Sequence, residues 1–284
     1  MAIRPKSLPA GIMPVIIGAS IAYKSGKFNL PILLLILFCS ISIQIITNFV
    51  NDLYDAKKGA DTKDRLGPQR TVASGLIKER TMFVVCIVLT IITFLCGLYL
   101  VSLGGRSILI IGIVSLIFAW LYTAGPLPIG YLGLGDLFVF IFFGLVATGG
   151  TYFLLTGEYS LTVFIASTIP GFISVNILQA NNIRDIDTDK LAKKYTLAVR
   201  LGRNNSILLF ILIFVSIYIS DILLFITSGY QYKMLLMMVS IPYAYQISKN
   251  LRLADTGKSY INVLEKCFYF IFICGLLLSI SFLI

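Results

Sequence analysis

The chain has 284 residues, 58% hydrophobic and 13% charged, with 23 Lys and Arg against 13 Asp and Glu and no histidine. A soluble domain carries about a quarter of its residues as charges, whereas here the stretches 28–51, 81–105, 107–135 and 159–183 contain none at all. Runs of that length are bilayer spans, which excludes a soluble globular enzyme, a disordered chain, and any mechanism that needs a histidine base or metal ligand.

A hydropathy window of about 19 residues predicts an all-α, polytopic helix bundle, a single transmembrane domain over residues 1–284. Nine spans are expected, at 8–24, 31–54, 81–103, 107–124, 135–156, 161–185, 206–227, 232–249 and 262–284. The first follows RPKSLP without a small-residue cleavage signature and reads as a retained span. Of the 23 Lys and Arg, 19 fall in the N-terminal tail and the alternate loops, leaving Lys24, Lys27, Arg106 and Lys233 on the other side. The positive-inside bias then places the N-terminus in the cytoplasm and the C-terminus outside, as for a multi-pass protein of the cell (inner) membrane.

The second span ends in NFVNDLYD (48–55). At about 100° per residue, Asn48, Asp52 and Asp55 share one narrow face, with Gln44 one turn deeper. The segment that follows, AKKGADTKDRLGPQRTVASGLIKER, alternates acid and base through Asp61, Asp64, Arg65 and Arg70 and is broken by Gly59, Gly67, Pro68 and Gly75. Between the fourth and fifth spans, YTAGPLPIGYLGLGD (122–136) holds no Lys or Arg. It reads as a tight cap over the cytoplasmic face, offering Tyr122, Tyr131 and Asp136. No strand precedes its glycines and no GKS or GKT follows, so it is not a nucleotide-binding loop.

The sixth span ends in NNIRDIDTD (181–189), in which Asn181, Asp185 and Asp189 step by four along one face while Asp187 points away. The five cysteines, Cys39, Cys86, Cys96, Cys267 and Cys274, lie in or beside apolar stretches with no CxxC pair, and read as small buried hydrophobes. Fifteen tyrosines and twenty phenylalanines can line an apolar tunnel and shield a cation, though most are expected to face lipid.

Asn-x-x-x-Asp thus recurs 133 residues apart at like ends of two parallel helices. Acids at the mouth of a bundle are costly and mark function by default, whereas Asp61, Asp64 and Asp187 are as readily helix caps or topological counter-ions. Two carboxylate-bearing helix ends facing each other make an oxygen-rich site for Mg²⁺, which binds through one or two carboxylates plus phosphate oxygens. Neighbouring Lys and Arg take the remaining phosphate charge. The pattern points to the departure of a diphosphate. An ion-coupled transporter, the rival reading, wants acids near the membrane midplane, and these lie at its edge.

RPKSLPAGIMPVIIGASIA, NFVNDLYDAKKGADTKDRLGPQR, YTAGPLPIGYLGLGD and NNIRDIDTDKLAKKYTLAVRLG closely resemble the UbiA superfamily of intramembrane prenyltransferases. Within it the wording is most similar to the 1,4-dihydroxy-2-naphthoate polyprenyltransferases of menaquinone synthesis. The resemblance implies that Asp52, Asp55, Asp185 and Asp189 hold Mg²⁺ and a polyprenyl diphosphate, with Arg65, Arg70 and Lys190 or Lys194 as phosphate partners. It also implies attack by 1,4-dihydroxy-2-naphthoate on an allylic cation, with loss of CO₂, to give demethylmenaquinol. Gln44, Asn48, Tyr122 and Asn181 are the polar groups placed to hold the acceptor, each of them also explicable as a helix-packing hydrogen bond. Many members carry an acid four residues after the Asp55 position; here that residue is Gly59, and Asp61 is the substitute ligand to consider. Hydroxybenzoate or homogentisate as acceptor, and a membrane lyase or cyclase, are the alternatives. No nucleic-acid partner is expected.

Overall fold

A computed structural model describes residues 2–59, 70–126, 128–229 and 231–284, and the described residues are helical throughout, with no strand. A short 3₁₀ turn, Pro5–Ser7, leads into α1 (Leu8–Lys24), which lies in the middle of the bundle. Helix α2 (Leu30–Lys57) starts where the Asn29 side chain accepts from the Ile32 N–H, an N-cap that satisfies one of the free amides of the first turn.

The next element holds two of the expected spans in one stretch. The spans expected at 81–103 and 107–124 form one continuous helical stretch, α3 (Glu79–Leu121), interrupted only at Gly105, where φ is 64° and ψ −153°. In a straight helix Thr90 and Trp120 would stand about 45 Å apart, yet Trp120 Nε1 donates to Thr90 Oγ1 at 3.1 Å and Phe83 meets the same indole edge-on at 6.0 Å. The chain therefore reverses at Gly105, a conformation open to glycine, and α3 is a tight hairpin of two spans.

Beyond it, α4 (Gly135–Phe140), a π-helical run Ile141–Gly149 and α5 (Gly150–Thr156) make one crossing. This crossing nestles against α6 (Leu161–Arg184) where Gly144 meets Gly171. A Cβ on Gly144 would fall 2.6 Å from the Ser167 carbonyl oxygen and 2.8 Å from the Gly171 Cα, so only glycine allows that approach. Helix α6 ends at Asp185 and a short helix α7 (Ile186–Leu191) follows. Then comes α8 (Leu197–Thr227), longer than the expected 206–227 because its first turn continues across a bend at Gly202.

The expected span at 232–249 is not one long helix: a 3₁₀ run, Tyr232–Ser240, precedes the short α9 (Ile241–Arg252). Pro242 and the charges of Lys249 and Arg252 leave too little uninterrupted apolar length for an α-helical span there. Helix α10 (Gly257–Leu283) opens with a Thr256–Ser259 capping box. Seven helices among the described residues are long and apolar enough to cross a bilayer. With the α3 hairpin crossing twice, and with the Tyr232–Arg252 segment, this is the all-helical, roughly nine-span bundle of a multi-pass membrane protein.

The tightest core gathers around α1, α6, α8 and α10, with Met13, Ile17, Ile169, Phe210, Phe214 and Phe270 all buried. Phe214 and Phe270 meet edge to face at 5.1 Å, the arrangement their ring quadrupoles favour. All five cysteines are free thiols; Cys86, Cys267 and Cys274 are buried and Cys39 and Cys96 half-buried. Helix α3, by contrast, turns most of its surface outward, as an apolar helix can when its neighbour is lipid.

Candidate active site

The ends of α2 and α6 come together on one side of the bundle, and each carboxylate there is matched to a partner. Asp52 is 2% exposed. Its Oδ2 accepts from Thr71 N–H (3.1 Å) and Thr71 Oγ1 (2.7 Å), and its Oδ1 from Val72 N–H (3.2 Å). The carboxylate thus ties down the chain at Thr71 and Val72. Asp55, one turn on, receives Arg70 at 3.4 Å and the Tyr131 hydroxyl at 3.0 Å. Arg184 Nε and Nη2 grip Asp185 at 2.7 and 2.5 Å, and Nη2 also reaches Asn181 Oδ1 at 2.8 Å. Asp189, at the end of the next turn, pairs with Lys194 at 3.3 Å.

Lys194 joins the two motifs. Burial works to lower its pKa, but the carboxylates of Asp55, Asp189 and Asp185 outweigh that, so it stays firmly protonated. Its ammonium lies 5.6 Å from the centre of the Tyr131 ring, and the Lys58 ammonium lies 4.8 Å from the same ring. Lys58 also donates to the carbonyls of Thr123 (2.8 Å) and Gly125 (3.2 Å). Tyr131 thereby stands against two cations, one from each motif, and the 122–136 loop is drawn over the α2 and α6 ends as a cap. Thr123 adds a hydroxyl bond to Asn51.

Beneath this cluster, a cavity of about 940 Å³ runs down between α1, α2, α3 and the α4–α5 crossing. Its mouth is polar, bordered by Asp52, Asp55, Arg70, Asn181, Arg184 and Lys194; its depth is apolar, bordered by Ile36, Leu100, Ile108 and Leu154. A large apolar pocket ending in a few convergent polar groups is the general form of a ligand site.

Of the residues singled out from sequence, Asp52, Asp55, Asp185, Asp189, Asn181, Arg70 and Lys194 are brought together here. Gln44 and Asn48 border the cavity but turn toward the N-terminal segment, where Asn48 donates to the Ile3 carbonyl (3.0 Å) and Ser7 Oγ (3.2 Å) and Gln44 to Ser7 Oγ (3.4 Å). Tyr122 borders the cavity beneath the cap. Lys190 is not among the groups brought in: it is exposed and does not border the cavity. Asp187 is 85% exposed and pairs with Arg203 at 3.1 Å on the outside of the cluster. Asp61, Asp64 and Arg65 lie outside the described residues. Asp136 is paired instead with Gln179, inside the packing of α4 on α6.

Sequence reasoning passed over Arg184, Thr71 and Lys58. Arg184 carried a signal, since an arginine at the end of an apolar helix, beside one acid and one turn after an asparagine, is seldom buried without a task. Thr71 carried none, because it meets Asp52 from nineteen positions away in the chain.

Among the described residues no three acids stand close enough to hold a metal ion by themselves, and Arg70, Arg184 and Lys194 each engage one. The donor chemistry nevertheless fits a hard divalent cation: all four acids present oxygen, and Asp189 Oδ2 is buried with no hydrogen-bond partner. Burial foremost, with the charges of Asp185 and Asp55 adding and Lys194 opposing, pushes the Asp189 carboxyl up to about 6. A proton and a cation then compete for it near neutrality. Divalent-ion affinity is expected to fall about tenfold from pH 7 to pH 5 as Asp189 takes up its proton. In Asp189→Asn that pH dependence should flatten, as titration calorimetry at the two pH values would show.

The family model described as the UbiA prenyltransferase family matches residues 11–263. The chain belongs to this family. Among its relatives, the 1,4-dihydroxy-2-naphthoate octaprenyltransferase of Haemophilus influenzae is 36% identical over 207 residues, covering 70% of this chain and 67% of that protein. The enzyme of the same name from Bacillus subtilis is 31% identical over 282 residues, 99% of this chain and 90% of that one. In three dimensions the UbiA fold is shared with a UbiA homolog from Aeropyrum pernix K1 (TM-score 0.72, 15% identity, 95% of this chain and 98% of that one). It is shared also with the UbiA homolog from Archaeoglobus fulgidus bound to GPP and Mg²⁺ (TM-score 0.69, 13% identity, 98% of both chains).

Proposed function

We propose that this UbiA-family enzyme transfers a polyprenyl group from its diphosphate to 1,4-dihydroxy-2-naphthoate with loss of CO₂, giving the demethylmenaquinol of menaquinone biosynthesis. The observation that carries the reading is an apolar cavity whose polar mouth is bordered by Asp52, Asp55, Arg70, Arg184 and Lys194, with Asp185 and Asp189 paired to the last two. A diphosphate fits the polar mouth and its prenyl tail the depth. The naphthoate-specific names of relatives 31% to 36% identical over most of the chain support the acceptor.

Asp55, Asp185 and Asp189, with the lone pairs Asp52 has left, would hold Mg²⁺. When bound, it offsets the charge that builds on the departing diphosphate. Arg70, Arg184 and Lys194 border the same mouth or carboxylates and are placed to donate to phosphate oxygens. The cap clasped through Tyr131 keeps water from an allylic cation, and the apolar walls below give that cation no nucleophile to capture. As the acceptor ring attacks, the C–O bond to diphosphate breaks. The electron pair of the carboxylate bond then returns to the ring as CO₂ leaves, so no strong base is required, in keeping with a chain that has no histidine.

Purified protein given Mg²⁺, a polyprenyl diphosphate and 1,4-dihydroxy-2-naphthoate is expected to release CO₂ and diphosphate one for one, with little product from 4-hydroxybenzoate. Prenylation of hydroxybenzoate at an equal rate, its carboxylate retained, would disprove the naphthoate assignment and leave the prenyltransferase standing. The site is further proposed to face the cytoplasm of a cell whose plasma membrane holds the protein, N-terminus inside and C-terminus outside, on the 19 to 4 division of Lys and Arg. Single-cysteine labelling should find residues 57–80 accessible only from the inner side; labelling from outside reverses the assignment.

A further inference from the structure

The cavity continues well past the carboxylates, and three glycines border it at one depth. Gly97 lies on the first arm of α3, Gly112 on the second, and Gly150 at the start of α5. The Thr90–Trp120 bond sets the register of the α3 hairpin and brings Gly97 level with Gly112. Gly150 is one turn from Leu154, whose side chain packs at Gly104 on the same hairpin. All three therefore fall within about one helical turn of each other along the cavity. Most glycines buried in this bundle sit against a neighbour, as Gly144 and Gly171 do. A Cβ added to Gly97, Gly112 or Gly150 would meet nothing within 4 Å. Their missing side chains are not needed for helix packing, and what they leave is bore.

The depth of this ring can be read along α2. Cys39 Sγ reaches the Thr93 carbonyl oxygen at 4.0 Å, so Thr93 is level with a residue thirteen positions before Asp52, about 20 Å away. Gly97 is one turn deeper, about 26 Å from the carboxylates. An isoprene unit adds four carbon–carbon bonds of about 1.5 Å, or about 5 Å of extended chain. The first five units of a prenyl diphosphate held at the mouth would lie above the ring, and any further units would have to pass through it.

We propose that Gly97, Gly112 and Gly150 set the longest prenyl chain this protein accepts, by keeping the cavity open at the level of about the fifth isoprene unit. This rests on the reading of the cavity as the prenyl-diphosphate site, and not on which aromatic acceptor is used. Each glycine lies in a helix, where larger residues raise helix propensity, and each Cβ enters open space, so the variants are expected to fold.

The test measures binding of geranyl diphosphate (two units) and of an eight-unit polyprenyl diphosphate, in Mg²⁺ and without acceptor. It compares wild type, Gly112→Leu and Gly150→Leu, with Gly112→Ala as a size control and unfolding temperatures taken alongside. The leucine variants should bind the eight-unit compound at least about tenfold more weakly, the scale of a methylene misfit in an apolar pocket, with geranyl diphosphate affinity unchanged and the alanine variant in between. Equal weakening of both ligands, or no change in either, overturns the proposal. Failure of wild type to bind either compound overturns the prenyl-donor reading with it. Normal binding without transfer to dihydroxynaphthoate leaves the ring proposal intact and removes only the acceptor.

Discussion

Asp189→Asn is expected to slow prenyl transfer about a thousandfold, the equivalent of about 4 kcal/mol of lost transition-state stabilisation, while leaving the protein folded. The side chain keeps its volume and loses only its charge. The cation left behind is not stranded, since Lys194 keeps Asp55 and Asp185 beside it. What disappears is the buried Oδ2 that no protein group satisfies, the oxygen best placed to accept a metal ion. Rates over a Mg²⁺ series, with an unfolding curve in detergent, separate the two effects. Asp187→Asn is the control. It removes only an exposed pair with Arg203, of the kind worth a fraction of a kcal/mol, and should leave rate and stability near wild type. Equal losses at the two positions would mean that the helical face does not define the site.

Arg184→Met should act mainly on stability, lowering it by about 3 to 5 kcal/mol, the cost of removing one partner from a buried ion pair. The guanidinium is 2% exposed and makes both contacts to Asp185 and one to Asn181. Without it the Asp185 carboxylate is buried with no counter-charge of its own. The double variant Arg184→Met with Asp185→Leu should recover much of the lost stability, because a hydrophobic pair of similar volume can replace a buried ion pair, and should remain inactive. A single Arg184→Met protein as stable as wild type would show that the pair contributes nothing to the fold.

The helices were legible in the sequence because lipid imposes one strong rule, long apolar runs with internally satisfied backbones. The α2 carboxylates were legible because a fixed angular step assigns each acid to a face, whereas the break at Asp185 means that Asp189 is placed by the short helix α7 and not by a continuous step. Less so were the connections. The two spans at 81–103 and 107–124 are both present, but their joining through a single glycine, Gly105, is not legible, since hydropathy reports length and not direction. The segment at 232–249 reads as a helix because its composition is apolar, whereas a 3₁₀ run over its first half gives way to a short helix opened by Pro242. Within the site, Gln44 and Asn48 share the face of Asp52, yet the N-terminal turn claims their amides through Ser7 and Ile3. The clasp of Tyr131 by Lys58 and Lys194 joins residues more than sixty positions apart, which no local periodicity can foresee.

The reversal at Gly105 also bears on how the chain enters a membrane. Beyond Glu79 and Arg80 its two arms carry no charge up to the tip, and they are bonded to each other by Trp120 and Thr90, so they can cross together as a pair. The tip that must reach the far side is two glycines followed by Arg106. Moving one charge through the hydrocarbon centre costs about 3 kcal/mol on the insertion scale, which the leucines, isoleucines and valines of the two arms together more than offset. A hydrophilic linker in its place would have to be drawn across whole. The short tip therefore leaves a single charge, that of Arg106, to cross with this part of the bundle.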